Sequence, residues 1–244
     1  MRRIFLSEVD SEIVELTGEQ HIHLSVAKRA RIGDKVQIAA DGYIYSAVVF
    51  ECKKNSTMLK IESKKEEKCE PNICITLYFA RQKPEHSEIT VQKAVELGVS
   101  KIVPVRTKFC ALQALKIDRL NKIAFSAAAQ SGRGFVPKVE DEIDFDAALK
   151  ELGDSDLVVF PYENEKNTSL RKVLDKMIKM DRMHGLKNVA VFVGSEGGFS
   201  EDEVDRAVGM GFVPASLGHR ILRAETACIA VLACVMYELG EFGV

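Results

Sequence analysis

The chain carries almost no net charge: 34 Lys and Arg against 36 Asp and Glu leave −2 at pH 7 over 244 residues. A near-neutral protein exerts no global attraction on nucleic acid, which excludes non-specific coating but leaves room for a local basic patch. Long apolar runs are also missing. The longest, residues 227–237, is too short to span a bilayer, and the opening Met1-Arg-Arg-Ile-Phe-Leu-Ser-Glu8 has no apolar h-region of a secretory signal. A cytoplasmic protein with no membrane partner is expected. The six cysteines, Cys52, Cys69, Cys74, Cys110, Cys228 and Cys234, form no C-x-x-C pair, and no His stands at zinc-finger spacing. They read as reduced structural thiols, with Cys228 and Cys234 as small hydrophobes in an apolar helical run. No metal site is expected.

Two nucleotide-binding signatures are absent as well. The turn Gly194-Ser-Glu-Gly-Gly-Phe-Ser200 has neither the G-x-x-x-x-G-K-[ST] spacing of a P-loop nor the G-x-G-x-x-G of a dinucleotide fold. Glu196 within it would repel phosphate, so the turn suits a neutral or cationic ligand. An ordinary strand-to-helix turn is an equal reading of these residues alone.

What the chain does contain is a second turn close behind, Ser216-Leu-Gly-His-Arg-Ile-Leu-Arg-Ala-Glu-Thr-Ala227. Each turn follows an apolar, strand-like run and leads into a helix-like one. Paired turns at the C-terminal edge of a parallel sheet make a small-molecule site, and their glycines let backbone approach a ligand closely. Arg220 and Arg223 flank Ile221-Leu222. Apolar side chains between charged ones can cover a flat ring, while the arginines bind phosphate or steady developing negative charge. A capped helix with surface arginines is the plainer alternative.

The first part of the chain reads as β-rich, with strands over 2–6, 35–40, 43–51 and 56–62, and Asp41-Gly42 as a hairpin signal. Thr17-Gly-Glu-Gln20 has a capping-box pattern and predicts a helix over 21–30. Several short strands so close together suggest a small barrel. The charged Ser63-Lys-Lys-Glu-Glu-Lys-Cys-Glu-Pro71 lacks periodicity and marks a boundary between domains 1–70 and 71–244. Beyond it, strands over 73–80, 101–105, 157–160, 189–193 and 212–217 alternate with helices. Those helices cover 87–97, 116–131, 169–180 and 226–239, and another opens at the second capping box, Ser200-Glu-Asp-Glu203. The alternation predicts an α/β fold, a mostly parallel sheet with helices on both faces. The last helix is apolar all round from 227 to 237, so it is expected to be buried on every side, with a homodimer interface favoured over a central core position.

Four segments together resemble a known family: Gln92-Lys-Ala-Val-Glu-Leu-Gly-Val99, Ala129-Gln-Ser-Gly-Arg133 with Val136-Pro137, the turn 194–200 and the segment 217–227. They look like those of the ribosomal RNA small subunit methyltransferase E family, a branch of the SPOUT class of S-adenosylmethionine-dependent methyltransferases. In the N-terminal part His23-Leu24, Arg29, Ile32-Gly-Asp34 and Asp41-Gly42 resemble that family's PUA-like RNA-binding domain. The chain departs from the family at Ser195, where Pro is usual, and at Ser25-Val-Ala-Lys28, which is less apolar than usual.

The resemblance implies a SPOUT α/β knot, a deep C-terminal trefoil, preceded by a PUA-like β-barrel. It implies a homodimer, S-adenosylmethionine as cofactor and methyl transfer to N3 of a uridine in 16S rRNA. The near-neutral charge points to the assembled small ribosomal subunit as substrate. Another RNA (tRNA or 23S rRNA) and a non-catalytic RNA-binding role are the alternatives. The implied cofactor pocket comprises Phe160, Pro161, Gly194, Glu196, Gly198, Leu217, Gly218, Ile221, Leu222 and Thr226. Uracil N3 is nucleophilic only once deprotonated, so Arg223 is the candidate to stabilise the anion or hold a phosphate. Glu225 is the candidate to accept or relay the proton, although a carboxylate at a helix start also fits capping. Arg2, Arg3, Arg29 and Arg31, with Gln130, Arg133 and Arg220, are candidate RNA contacts, against the alternative of solvated surface charge. His21 and His23 read as structural or surface residues.

Overall fold

The structure, a computed structural model, describes residues 2–27 and 29–242, and only the backbone of Arg2, Val26, Ala27 and residues 180–184. The chain divides into two compact units, Met1–Glu70 with Ala128–Val136, and Pro71–Ala127 with Pro137–Val244.

In the first unit β1 (Arg2–Phe5), β2 (Ile13–Thr17), β3 (Lys35–Ala40), β4 (Tyr43–Cys52) and β5 (Ser56–Glu66) form one sheet of order β1-β3-β4-β5-β2. β1 is parallel to β3, and the other pairs are antiparallel. Asp41 and Gly42 both have positive φ, 51° and 72°, which is the turn geometry whose twist matches the flanking strands. Ile4, Leu16, Leu24, Val36, Ile38, Val49 and Leu59 fill the core.

Several expectations need correction here. The predicted helix 21–30 is only α1 (Gly18–Ile22), running on as a π-helical turn, His23–Ala27. Thr17 makes no capping bond, and Gln20 donates through its side chain to the Phe5 carbonyl instead, at 3.1 Å. The charged stretch from Ser63 is strand as far as Glu66, because β5 goes on pairing with β4 while its side chains stay exposed. His21 is buried against Thr57, Nδ1 to Oγ1 at 2.8 Å.

Residues 128–136 carry a buried charge into this unit. The Arg133 guanidinium donates to Glu70, Nε to Oε2 at 3.0 Å, while the same carboxylate accepts from Gly134 N at 2.6 Å. Arg3 donates to the Arg133 carbonyl at 2.7 Å, to the Gly132 carbonyl and to Gln37 Oε1 at 2.8 Å.

The second unit is built on β6 (Cys74–Ala80), β7 (Lys101–Arg106), β8 (Lys138–Val139), β9 (Ile143–Asp144), β10 (Leu157–Pro161), β11 (Asn188–Val193) and β12 (Pro214–Ala215). They form an all-parallel sheet of order β12-β10-β11-β6-β7-β8, with β9 also on β7. The helices are α2 (Pro84–Glu96), α3 (Ile117–Ser131), α4 (Phe145–Leu152), α5 (Leu170–His184), α6 (Glu201–Gly209) and α7 (Ala224–Glu238). β8, β9 and α4 were not expected, and the predicted strand 212–217 shrinks to two residues. The α6 capping box forms as predicted: Ser200 N donates to Glu203 Oε2 at 2.8 Å and Glu203 N to Ser200 Oγ at 3.4 Å.

Phe192 of β11 anchors the core. Its ring lies 5.8 Å from Phe160, 4.9 Å from Phe199 and 6.3 Å from Tyr78, and Leu149 of α4 and Ala207 of α6 join the same cluster. Burying one such phenylalanine stabilises by about 1.5–3 kcal/mol. α7 packs on α2 and β11, but it is not buried all round. Cys228, Val231, Leu232, Val235 and Met236 face inward, whereas Cys234 and Tyr237 are exposed, with Ile229, Ala230 and Ala233 half-buried beside them. No helix among the described residues is long and apolar enough to cross a membrane.

Candidate functional site

β10, β11 and β12 are neighbours in the sheet, so the loops that leave their C-terminal ends meet. They surround a cleft that is open to solvent on one side. Pro161, Tyr162 and Glu163 contribute from the first loop, Gly194, Ser195, Glu196 and Gly198 from the second, and residues 216–222 from the third. Val193, Ala224 and Ala227 complete the lining.

The second loop needs its glycines. Gly198 has φ +70°, and a side chain there would run into the Glu163 carboxylate. A Cβ at Gly194 would lie 3.2 Å from the Gly198 carbonyl carbon and the Phe199 ring. Ser195, standing where the family usually has Pro, braces the turn: its hydroxyl donates to the Phe109 carbonyl at 2.9 Å and accepts from Gly197 N at 3.3 Å. The third loop is pinned through Ser216, whose N–H donates to the Thr168 carbonyl at 2.8 Å and whose carbonyl accepts from Leu170 N at 2.9 Å.

Charge in the site is arranged around α2. Glu196 accepts from Lys83 N at 3.1 Å and from His86 Nδ1 at 2.9 Å, so it caps the positive end of that helix from another element. Burial alone would raise the Glu196 carboxyl. Its own backbone N–H, the His86 ring and the Lys83 N–H outweigh that and hold it below the usual carboxylate range. Glu225, in the first turn of α7, is buried, and its Oε2 has no hydrogen-bond partner among the described residues. His86 Nδ1 stands 3.8 Å from that oxygen.

Of the residues assigned to a cofactor pocket from sequence, Pro161, Gly194, Glu196, Gly198, Leu217, Gly218, Ile221 and Leu222 line this cleft, and so does Arg220. Phe160 does not. It is fully buried on the core side, because neighbours on a strand point to opposite faces and Pro161 takes the cleft side. Thr226 is exposed and outside the lining. Arg223 is the exposed N-cap of α7; like Glu225, it stands beside the lining rather than in it. Among the expected RNA contacts, Arg29, Arg31, Gln130 and Arg220 are exposed. Arg3 and Arg133 are engaged in the internal bonds described above, and the Arg2 side chain lies outside the described residues. No group of three or more potential metal ligands occurs among the described residues. Sequence reasoning missed Tyr162, Glu163 and His86. The first two come just after β10, a signal that could have found them; nothing in the sequence links His86 to residues 196 and 225.

A family model described as RNA methyltransferase domain matches residues 68–236. A ribosomal RNA small subunit methyltransferase E of Rickettsia conorii is 29% identical over 241 residues, covering 96% of this chain and 94% of the relative. The protein of the same name from Bacillus subtilis is 28% identical, covering 98% and 97%. Among solved structures, a ribosomal RNA small subunit methyltransferase E of Neisseria gonorrhoeae bound to S-adenosyl methionine superposes with a TM-score of 0.84 at 29% identity, covering 97% of each chain. A Legionella pneumophila methyltransferase in complex with bound SAM gives 0.84 at 28% identity, covering 96% of each chain. The mixed α/β fold with its parallel sheet is the fold of these structures.

Proposed function

The chain belongs to the RNA methyltransferase domain family, and from that premise we propose that it methylates ribosomal RNA of the small subunit with S-adenosylmethionine, at N3 of one uridine in 16S rRNA on the assembled subunit. The observation that carries this reading is a cleft between three strand-end loops, two of them glycine turns, next to a buried carboxylate oxygen with no bonding partner among the described residues.

The cleft residues fit the cofactor. Gly194 and Gly198 keep side chains out of the second loop, so backbone can meet a ligand edge. Leu217, Ile221 and Leu222 offer apolar cover for a flat ring. Glu163 and Glu196 on the lining suit a sulfonium cation, and Arg220 on the same lining suits the cofactor's carboxylate. When bound, S-adenosylmethionine supplies a methyl group already activated on its sulfonium sulfur.

The protein's own task is the proton. Uridine N3 gains a usable electron pair only when its N–H bond breaks. Glu225 Oε2 takes that proton: the N3–H bond breaks, an O–H bond forms and the pair stays on nitrogen. Arg223 steadies the resulting imide anion. The two carboxylates thereby differ in role. Glu196 is saturated with donors and stays ionised, while Glu225 has a free oxygen to receive a proton.

Arg29, Arg31, Gln130 and Arg220 would contact the RNA, and the five-stranded sheet of the first unit would serve as the PUA-like module of domain 1–70, ahead of the methyltransferase domain 71–244. A C-terminal trefoil knot completes this reading; a crystallographic trace without a threaded C-terminal segment would remove it. The outward apolar stripe of α7 supports a homodimer. Sedimentation should therefore give a dimer for the wild type and a monomer for Tyr237→Glu, and a monomeric wild type rejects this part.

The decisive experiment incubates small subunits from a strain lacking the protein with pure protein and labelled S-adenosylmethionine, then maps the label by mass spectrometry. A single 3-methyluridine in 16S rRNA is expected. Label on another base, or only in tRNA, overturns the assignment of the acceptor.

A further inference from the structure

We propose that His86 is a positioning residue for methyl transfer, holding the Glu196 and Glu225 carboxylates apart so that Glu225 keeps one oxygen free for the substrate proton. This inference rests on the function proposed above.

A carboxylate oxygen removed from water without a bonding partner is costly, and such an oxygen readily accepts a proton or a donor brought by a substrate. Beside that oxygen of Glu225 stands the His86 ring, its Nδ1 3.8 Å from Oε2. That distance is too long for a hydrogen bond. The ring's Nδ1–H is spent elsewhere, because Glu196 Oε1 stands at 2.9 Å and an ionised carboxylate can only accept. His86 therefore stands beside Glu225 without occupying its oxygen. Were its N–H aimed at Glu225 instead, the proton-accepting position would be filled.

The placement of the ring is itself fixed. Pro84 opens α2, and the His86 N–H donates to the Lys83 carbonyl at 3.0 Å. Lys83 N donates to the same Glu196 oxygen as the His86 ring. The start of α2 thus grips the glycine turn at two points and faces the start of α7 at a third. Lys83 N still holds Glu196 when the ring is removed, whereas Glu225 is then able to turn towards the vacated space.

His86→Ala and His86→Gln should be compared with the wild type in three measurements: kcat on small subunits, Kd for S-adenosylmethionine by calorimetry, and thermal unfolding. His86→Ala is expected to lose roughly 10- to 100-fold in kcat, the scale of a misplaced catalytic group. Its cofactor Kd and its unfolding temperature should stay close to wild type. Glutamine restores a side-chain N–H donor towards Glu196, so His86→Gln should recover most of the lost kcat. The inference is overturned if His86→Ala keeps kcat within about twofold, if its kcat falls only together with cofactor affinity or folding, or if glutamine does no better than alanine. A wild-type protein that transfers no methyl group to RNA removes the proposed function and this inference with it. An active wild type with an unaffected variant removes this inference alone.

Discussion

Glu225→Gln is expected to turn over about 10²–10⁴-fold more slowly than wild type, the range contributed by a positioned general base, with little change in affinity for S-adenosylmethionine. Glutamine keeps the size and polarity of the side chain but cannot take a proton from N3. The buried position of Glu225 and the bare Oε2 make the loss chemical rather than architectural, because no described hydrogen bond to that oxygen is broken. The competing account is helix capping: Glu225 lies in the first turn of α7, and a carboxylate there contributes about 0.3–1 kcal/mol through the helix dipole. Single-turnover rates with cofactor affinity measured alongside separate the two. Capping predicts a small loss of stability with near-normal turnover, and that result would refute the proton-acceptor role. Arg223→Ala should be slowed in parallel, since it would no longer steady the anion that deprotonation creates.

Glu70→Ala is expected to destabilise the first unit by roughly 3 kcal/mol, near the lower end of what breaking a buried ion pair costs. Glu70 itself keeps some exposure, its side chain being 20% accessible against 4% for Arg133. Its carboxylate has two duties, neutralising Arg133 and accepting from Gly134 N. Truncation leaves both donors without that acceptor at once. The Phe135 ring lies 4.8 Å from the guanidinium, a weaker contact than the carboxylate. Denaturant unfolding with a probe in the first unit measures the effect, and a loss under about 1 kcal/mol would show the pair to be dispensable. A Glu70→Leu, Arg133→Leu double variant should lie much closer to wild type, because the buried charge is then removed together with its carboxylate.

This pair illustrates where reading the sequence stops. The motif around residues 129–133 was visible, but an arginine next to glycine looks the same whether it meets RNA or a glutamate far away in the chain. Burial decides, and burial is a property of the fold. Phe160 shows a related limit: it lies one residue from the cleft, and strand alternation sends its side chain to the core side. The cleft itself was largely legible, because glycines between apolar runs mark strand ends and such loops gather at one edge of a parallel sheet. Long strands and helices came through within a few residues. β8 and β9, two residues each, carry no period to detect, and β2 was hidden by its mostly exposed side chains. Thr17 and Ser200 head similar patterns, yet only Ser200 caps, since Gln20 finds a better partner in the Phe5 carbonyl.

The order of the parallel sheet also governs how the chain comes into being on a ribosome. β6 pairs on one side with β11, Cys74 facing Asn188, so the middle of the sheet cannot close until most of the chain has been made. Pairings between segments so far apart form slowly, because the entropy of bringing them together is lost before any contact rewards it. Until then β6 presents a bare, apolar edge, the kind of template on which unfinished chains associate. Synthesis that stalls before Asn188 therefore leaves a chain with an open sheet and two of the three cleft loops unmade. The protein acquires its binding site only in the closing stage of its own translation.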